Sequence, residues 1–199
     1  MRAAFAAGLL PLLFALGAAA GESAWRAAPL PPEAERLNRL ADVAASSETA
    51  AQLYGQSLRL CRTNGPALYG LGRALLDLDR AADGLKVFQR LDALYPDDPA
   101  VLEALATAHA RLPEPRRANV AAGLACAERA VQLNPAAPEA WHVLSVLRHL
   151  DGDYAAALEA ARQAVARDAQ NPSDAETTAL YQQQETACND ALSVFSPLD

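Results

Sequence analysis

The sequence predicts an all-α protein built as a stack of antiparallel helix pairs, and three observations support this fold class. The chain of 199 residues is 52% hydrophobic but only 6% aromatic, and an alanine-rich chain of this kind favours helices packed closely on helices. Between residues 138 and 171, apolar side chains recur at helical spacing on both sides of a break at Asp151-Gly152-Asp153. The same spacing returns upstream in register, so neighbouring pairs can bury the faces that one pair leaves open.

The segment 138–171 contains the clearest helix pair. Its first helix carries Trp141, Leu144, Leu147 and Leu150 at intervals of three residues, which predicts one buried face. In the second helix the corresponding side chains are mostly small, and small side chains let two helices approach closely. They are Ala157, Leu158, Ala161, Ala164 and Val165.

This pair resembles a tetratricopeptide repeat, a unit of 34 residues that forms two helices. Arg148 stands where an aromatic residue is usual in that family, and Ala169 stands where proline is usual. The resemblance implies a right-handed superhelical stack, a tetratricopeptide-like α-solenoid, that binds other proteins. The residues at the family's signature places are Trp141, Leu144, Ser145, Ala157 and Ala164.

Four such units follow one another in register at residues 31–64, 65–98, 99–137 and 138–171, within one domain that spans residues 33–195. The second unit also matches well. The first is weaker, because Ala34 and Asn38 are unusual at their places, and a degraded repeat is expected where one face has no neighbour. The third has about five extra residues. Pro113 and Pro115 predict that these form a loop at 112–117, either a functional projection or a tolerated insertion.

A capping helix at about residues 174–194 ends the predicted stack. Ser173 and Glu176 have the spacing of a capping box at its start. The helix has a polar side rich in glutamine, which suits the solvent-exposed end of a repeat array. We expect its apolar side to consist of Leu180, Ala187, Ala191 and Leu192.

Residues 1–20 have the pattern of a secretory signal peptide. Arg2 precedes an uncharged apolar run, and Ala18-Ala19-Ala20 provides the small residues that signal peptidase requires. Cleavage before Gly21 would give a periplasmic or secreted protein without stable membrane insertion. The alternative, a retained membrane anchor, requires a longer apolar run than this one. Residues 21–32 are predicted to be a proline-rich linker.

Charge and motifs exclude several classes of function. The formal net charge of −7 argues against nucleic-acid binding, which needs a basic surface. The catalytic motifs of metalloproteases, P-loop enzymes and serine hydrolases are missing, so we expect no enzyme activity and no cofactor. His142 and His149 lie about 10 Å apart along one helix, too far to share a metal ion. Cys61, Cys126 and Cys188 are expected to be free thiols, with a Cys126–Cys188 disulfide as the alternative.

The family resemblance also implies a binding surface. In tetratricopeptide proteins the first helix of each pair lines a concave groove, and its residues can be carried over by position. Arg39 and Arg73 occupy equivalent places in successive units, and arginine and tyrosine are favoured at interfaces. The lysine and asparagine clamp that binds a terminal carboxylate in some members is missing. The implied groove residues are Glu35, Arg39, Asp42, Tyr69, Arg73, Leu76, Asp77, Glu103, Thr107, Arg111, His142, Val146 and His149.

The sequence therefore predicts an exported scaffold or adaptor that binds a segment of a partner protein, with a bacterial envelope complex as its setting. Two other functions stay open. One is a periplasmic carrier of a small ligand or peptide that uses Arg39 and Arg73 as an anion site. The other is a non-catalytic subunit of an envelope enzyme or assembly complex.

Overall fold

The computed structural model describes residues 23–113 and 117–195, and within these ranges the chain has nine α-helices and no β-strand. This confirms the all-α, tetratricopeptide-like stack that the sequence predicts. Every predicted unit contains one helix pair, and the last helix follows the fourth unit. The helices are α1 (Pro32–Asp42), α2 (Ser47–Leu60), α3 (Gly65–Asp77), α4 (Ala81–Leu94), α5 (Pro99–Ala110), α6 (Arg117–Leu133), α7 (Pro138–Asp151), α8 (Tyr154–Asp168) and α9 (Ala175–Phe195).

The odd-numbered helices form one layer of the stack. Each helix packs against its partner in the pair, and α1, α3, α5, α7 and α9 also contact one another in succession. A proline lies at the first or second position of α1, α3, α5 and α7, where its missing N–H is not needed by the helix. Side chains on the free face of this layer therefore point into one shared concavity, which positions the candidate site.

Large apolar side chains and small residues meet between the two layers. Phe88 and Leu91 of α4 are fully buried. A Cβ added at Gly72 would lie only 2.4 Å from the ring of Phe88, so the absence of a side chain there lets α3 and α4 approach. In the fourth unit Leu147 is fully buried, whereas Leu150 is 42% exposed. The expectation that Leu150 lies on the buried face is therefore wrong, because a spacing of exactly three residues drifts around a helix of 3.6 residues per turn.

A buried polar network explains the unusual residues of the first unit. Asn38 and Asn64 donate amide hydrogens to each other's side-chain oxygens at 3.2 and 3.3 Å. Asn64 also donates to Ser57 Oγ at 2.8 Å, and Ser57 donates to the carbonyl of Ala34 at 3.0 Å. The side-chain oxygen of Asn64 accepts the backbone N–H of Ala67 and caps α3. The network thus joins α1, α2 and the start of α3.

The packed face of helix α9 matches the expected one at Leu192 but not at Leu180. Tyr181 and Cys188 are buried, Leu192 packs beside Cys188, and Leu180 is 49% exposed. The buried face is thus turned by one residue, about 100° on a helix, because the large ring of Tyr181 fills the space that Leu180 was expected to fill. The expected cap also differs. Asp174 accepts the N–H groups of Glu176 and Thr177, whereas Ser173 donates its own N–H to Asp168.

Part of the predicted linker is packed against the helices. Residues 23–26, called the N-terminal turn below, contain one turn of 3₁₀ helix at Ala24–Arg26. Trp25 is only 3% exposed and belongs to the same apolar cluster as Leu68 and Phe88. A tryptophan has a large apolar area, so burying it on the stack is more favourable than leaving it in solvent.

The predicted signal peptide at 1–20 lies outside the described residues, as does the central part of the predicted loop at 112–117. Among the helices that the structure describes, none is both long and apolar enough to cross a membrane. Cys61, Cys126 and Cys188 are free thiols. The alternative of a Cys126–Cys188 disulfide is therefore not seen in this structure.

Candidate functional site

The concave face of the odd-numbered layer encloses a cavity of about 620 Å³, called the central cavity below. Helices α3, α5 and α7 supply most of its wall. The N-terminal turn borders it through Ser23 and Arg26, and α9 borders it through Thr177, Leu180 and Tyr181. A second cavity of about 540 Å³ adjoins it on the side of α1 and α2. Arg26, Tyr69, Arg73 and Asp77 border both cavities.

The structure brings most of the implied groove residues together. Leu76 and eight residues of the predicted partner-binding set line the central cavity, and they come from three successive helix pairs. The eight are Tyr69, Arg73, Asp77, Glu103, Thr107, Arg111, His142 and Val146. Their convergence follows from the register of the repeats, since equivalent places on α3, α5 and α7 face the same way.

Three implied residues lie elsewhere. Glu35 and Arg39 border neither cavity and form an exposed ion pair at 3.6 Å on α1, where the Arg39 side chain is 70% exposed. His149 stacks edge-on against Tyr154 at 5.2 Å, and its Nδ1 lies 3.7 Å from Cys188 Sγ. The end of α7 is therefore covered by α8 and α9, so His149 packs between helices instead of facing the cavity.

Asp42, the remaining implied residue, borders the second cavity. Its carboxylate accepts a hydrogen bond of 2.5 Å from the hydroxyl of Tyr54. Burial and this hydrogen bond both raise the pKa of Tyr54 above its usual range. The Asp42 carboxylate therefore already accepts a hydrogen bond from within the protein.

The central cavity carries both signs of charge. Arg26, Arg73 and Arg111 oppose Asp77, Glu103 and Glu139 around its wall. Within the part of the chain that the structure describes, neither Arg73 nor Arg111 has an ion-pair partner. A guanidinium with free donors at a cavity wall can form paired hydrogen bonds to a carboxylate or to backbone carbonyls of a ligand.

Two titratable groups in the cavity are held in unusual states by burial. Burial, and then the nearby charge of Glu139, raise the pKa of Glu103 to about 7, against the opposing effects of a 3.3 Å hydrogen bond from Thr107 and of Arg73. Burial lowers the pKa of His142 to about 4, so its ring is neutral at pH 7. His142 Nδ1 is buried and has no hydrogen-bond partner among the described residues.

The raised pKa of Glu103 predicts a pH-dependent stability. A carboxyl that binds its proton more tightly when folded makes the protein less stable as pH rises from the unfolded pKa, about 4.3, to the folded value of about 7. Glu103→Gln removes this carboxyl and with it the pH-dependent loss of stability. We therefore expect the variant to gain free energy of unfolding relative to the unsubstituted chain between pH 5 and pH 8, measured by urea denaturation at each pH. A constant difference across this range would contradict the raised pKa.

Comparison with known proteins identifies the type of repeat in the first part of the stack. Residues 47–108 match the family model for the tetratricopeptide repeat. The chain has a tetratricopeptide-repeat fold. No curated protein matches the sequence.

Solved structures, two of which are described as tetratricopeptide proteins, share this architecture over most of the chain. The thermophilic protein TTC0263 of Thermus thermophilus is 21% identical, with a TM-score of 0.64 over 83% of this chain and 93% of that one. The Sgt2 tetratricopeptide domain of Aspergillus fumigatus is 18% identical, with a TM-score of 0.55 over 68% and 86%. The translocator chaperone SycD of Yersinia enterocolitica is 18% identical, with a TM-score of 0.54 over 63% and 91%. Identities this low show a common fold alone.

Several residues that line the two cavities of this tetratricopeptide stack were not predicted from the sequence, among them Glu139, Tyr181, Trp25 and Arg26. Glu139 lies three residues before His142, the first position on α7 that was carried over from the family, and Tyr181 belongs to the capping helix, for which the repeat pattern gives no register. Trp25 and Arg26 lie before the first repeat. Their only sequence signal is a tryptophan in a segment that is otherwise small, polar or proline-rich, which is unusual for a solvated linker.

Proposed function

We propose that this chain is a protein-interaction module, a scaffold or adaptor that binds a segment of another protein in the central cavity. The observation that carries this proposal is the convergence of eight inner-face residues from three repeats on one wall, where Arg73 and Arg111 have no ion-pair partner among the described residues. Tyrosine and arginine at the centre of a concave surface are the residues that most often dominate binding energy at protein interfaces.

The cavity chemistry indicates what kind of segment fits. Alanine residues of α5 and α7 leave room at the base, and Val143 and Val146 add apolar area. Charges of both signs surround this base, so a segment with apolar side chains and a backbone or carboxylate facing Arg73 is complementary. The proposed role requires no chemistry from the chain itself, and a non-catalytic subunit of a larger complex would use the same surface.

The proposed setting is the periplasm or the exterior of the cell, in an envelope complex. Support comes from the pattern of residues 1–20, with its basic start, apolar run and small-residue site before Gly21. Mass spectrometry of the protein after cell fractionation tests this point. Periplasmic protein that begins at Gly21 is the expected result, and intact chain in the cytosol would contradict export.

A carrier function is the second candidate, favoured by the size of the central cavity. Its volume of about 620 Å³ lies within the range of roughly 300–1,000 Å³ that small-molecule sites occupy. The anion site expected from Arg39 and Arg73 does not form, because Arg39 lies outside the cavity. Arg73 would have to act with Arg26 or Arg111 instead.

A charge-reversal pair tests the binding proposal. Short peptides selected from a displayed library against the unsubstituted protein serve as probes, and fluorescence anisotropy measures their affinity. We expect Arg73→Glu to weaken binding by about tenfold or more, equivalent to about 1.4 kcal/mol. Arg39→Glu is the matched control, since it makes the same change on an inner helix outside the cavity, and it should leave affinity unchanged.

Two results would contradict this proposal. Equal affinity of both variants and the unsubstituted protein would exclude the central cavity as the peptide site. Failure to select any peptide, together with a higher melting temperature in the presence of small anionic metabolites, would instead support the carrier. Far-ultraviolet circular dichroism of both variants confirms that the helices remain formed.

A further inference from the structure

The N-terminal turn lies where a partner segment would pass. The Trp25 ring stacks on Tyr69 with centroids 4.8 Å apart and an interplanar angle of 21°. Tyr69 is an inner-face residue that borders both cavities, and Arg26 borders both as well. Residues from outside the repeats thus already occupy part of the concave surface.

Close packing defines a seat for the Trp25 side chain. A Cβ added at Gly65 would lie 2.6 Å from Trp25 Cβ and 2.8 Å from the Trp25 carbonyl oxygen, so only glycine at this place admits the turn. Phe88 also packs edge-on against Tyr69, with ring centroids 6.0 Å apart. We call this place, formed by Gly65, Tyr69 and the apolar residues beneath them, the Trp25 seat.

Within residues 23–113 and 117–195, few polar interactions hold the turn in the seat. Its backbone hydrogen bonds are internal, from Arg26 N to Ser23 O and from Ala27 N to Ala24 O. One side-chain hydrogen bond of 3.1 Å joins Ser23 Oγ to Asp98. The Arg26 guanidinium lies over the Trp25 ring at 4.6 Å, which is a contact within the turn itself. The turn is therefore anchored mainly by one aromatic side chain.

The burial of Trp25 leaves one polar group without a hydrogen bond among the described residues. The indole Nε1 of Trp25 is buried without an acceptor among the described residues. An unpaired buried donor subtracts a substantial part of the gain from burying the ring. A segment that presents an aromatic ring here and also pairs its own polar groups would bind the seat better than the turn does.

We propose that the Trp25 seat is a docking site for an aromatic side chain of the partner segment, and that the N-terminal turn occupies it in the free protein as an internal competitor. This rests on the proposed function, because the partner is the segment bound in the adjoining central cavity. The Trp25-Arg26 pair also indicates the preferred chemistry, an aromatic residue followed by a cation, because Arg26 and the acidic Asp77 border the same two cavities.

A peptide that copies the turn tests the seat. The probe is a fluorescently labelled peptide with the sequence of residues 22–29, Glu-Ser-Ala-Trp-Arg-Ala-Ala-Pro, added to the full chain. Trp25→Ala empties the seat, so we expect this variant to bind the probe about tenfold more tightly than the unsubstituted protein does. A probe in which alanine replaces its tryptophan should not bind.

Gly65→Ala distinguishes specific binding in the Trp25 seat from nonspecific binding to an exposed apolar surface. The added methyl group displaces the turn but also blocks the same approach by the probe. This variant should therefore show released, solvent-exposed Trp25 fluorescence in a Trp141→Phe background and yet fail to bind the probe. Gly55→Ala, at a helical glycine with nothing within 4 Å of the added Cβ, is the matched control and should behave like the unsubstituted protein.

Two outcomes would overturn the proposal. In the first, folded Trp25→Ala binds the probe no more tightly than the unsubstituted protein does. In the second, Gly65→Ala binds the probe as tightly as Trp25→Ala does. If Trp25→Ala does not fold, acrylamide quenching of Trp25 in the Trp141→Phe background replaces it. Quenching that rises when an aromatic library peptide binds supports displacement, and unchanged quenching overturns it.

These outcomes are separable from a failure of the proposed function. Library peptides that depend on Arg73 but bind Trp25→Ala with unchanged affinity leave the central cavity as the partner site and reject the competitor. Conversely, tighter probe binding by Trp25→Ala, with library peptides indifferent to Arg73→Glu, leaves the seat intact and rejects the central cavity as the site.

Discussion

Replacing Asn64 by alanine is expected to lower the free energy of unfolding by about 3 kcal/mol, a larger effect than most single substitutions have. Asn64 is fully buried, and its amide joins three parts of the first unit. Without it, the side chain of Asn38 loses both its donor and its acceptor, and Ser57 loses the donor to its hydroxyl oxygen. The N–H of Ala67 also loses its cap, which alone is worth about 1 kcal/mol.

Asn171→Ala is the matched control for this prediction. Asn171 is the last residue of the fourth unit, as Asn64 is of the first, but it is exposed and Asp174 caps the following helix. Urea denaturation should show a change within about 0.5 kcal/mol for Asn171→Ala. A similarly small loss for Asn64→Ala would mean that the network contributes little.

The double variant Asn38→Ala with Asn64→Ala adds a test of coupling. Once Asn64 is missing, Asn38 is an unpaired polar side chain in the core, so its removal should restore part of the lost stability. The two losses should therefore not add, as is usual for residues within one hydrogen-bonded network. Additive losses would indicate two independent contacts.

The sequence was sufficient for the repeated part of the fold because each unit repeats the same local geometry. Leu144, Leu147 and Ala157 are buried as their spacing indicates. The same register placed Tyr69, Arg73 and Glu103 on one concave wall. The spacing of apolar residues and the position of each residue within its unit are enough to predict these features, without knowledge of contacts between distant parts of the chain.

The ends of the stack did not follow the pattern, for a physical reason. The inner-face places of a family describe a helix with neighbours on both sides, and among the helices that the structure describes α1 has a repeat neighbour on one side only. Arg39 consequently pairs with Glu35 in solvent. In the capping helix the repeat pattern predicts no register. Whether Leu180 or Tyr181 is buried depends instead on the shape of the surface that α7 and α8 form.

The N-terminal turn shows a further limit of local reasoning. Trp25 contacts residues about 40 positions away, at Gly65 and Tyr69, and no period relates them. Its burial depends on a missing Cβ at Gly65, which is visible only in three dimensions. Similarly, the raised pKa of Glu103 depends on burial and, to a smaller extent, on the charge of Glu139 from the next unit, and spacing along the chain reveals neither cause.

Two helical glycines of this chain should respond in opposite ways to the same substitution. Alanine is favoured over glycine in a helix by about 1 kcal/mol. At Gly55 in α2, nothing lies within 4 Å of the added methyl group. Gly55→Ala should therefore be more stable than the unsubstituted protein by about 0.5–1 kcal/mol. Gly72→Ala in α3 places its methyl group 2.4 and 2.5 Å from two ring atoms of Phe88. Phe88 is fully buried and cannot move aside, so we expect a net loss of about 2 kcal/mol from overpacking.

The cause of the loss at Gly72 can be isolated with a second change at Phe88. Phe88→Leu alone should destabilise the chain by leaving space against α3. Combined with Gly72→Ala, it should lose less than the sum of the two single variants, because the smaller side chain leaves room for the added methyl group. Thermal and urea unfolding of the four proteins in this cycle measure that difference. If Gly72→Ala were instead stabilised like Gly55→Ala, helix propensity would outweigh packing, and the approach of α3 to α4 would not depend on glycine at this place.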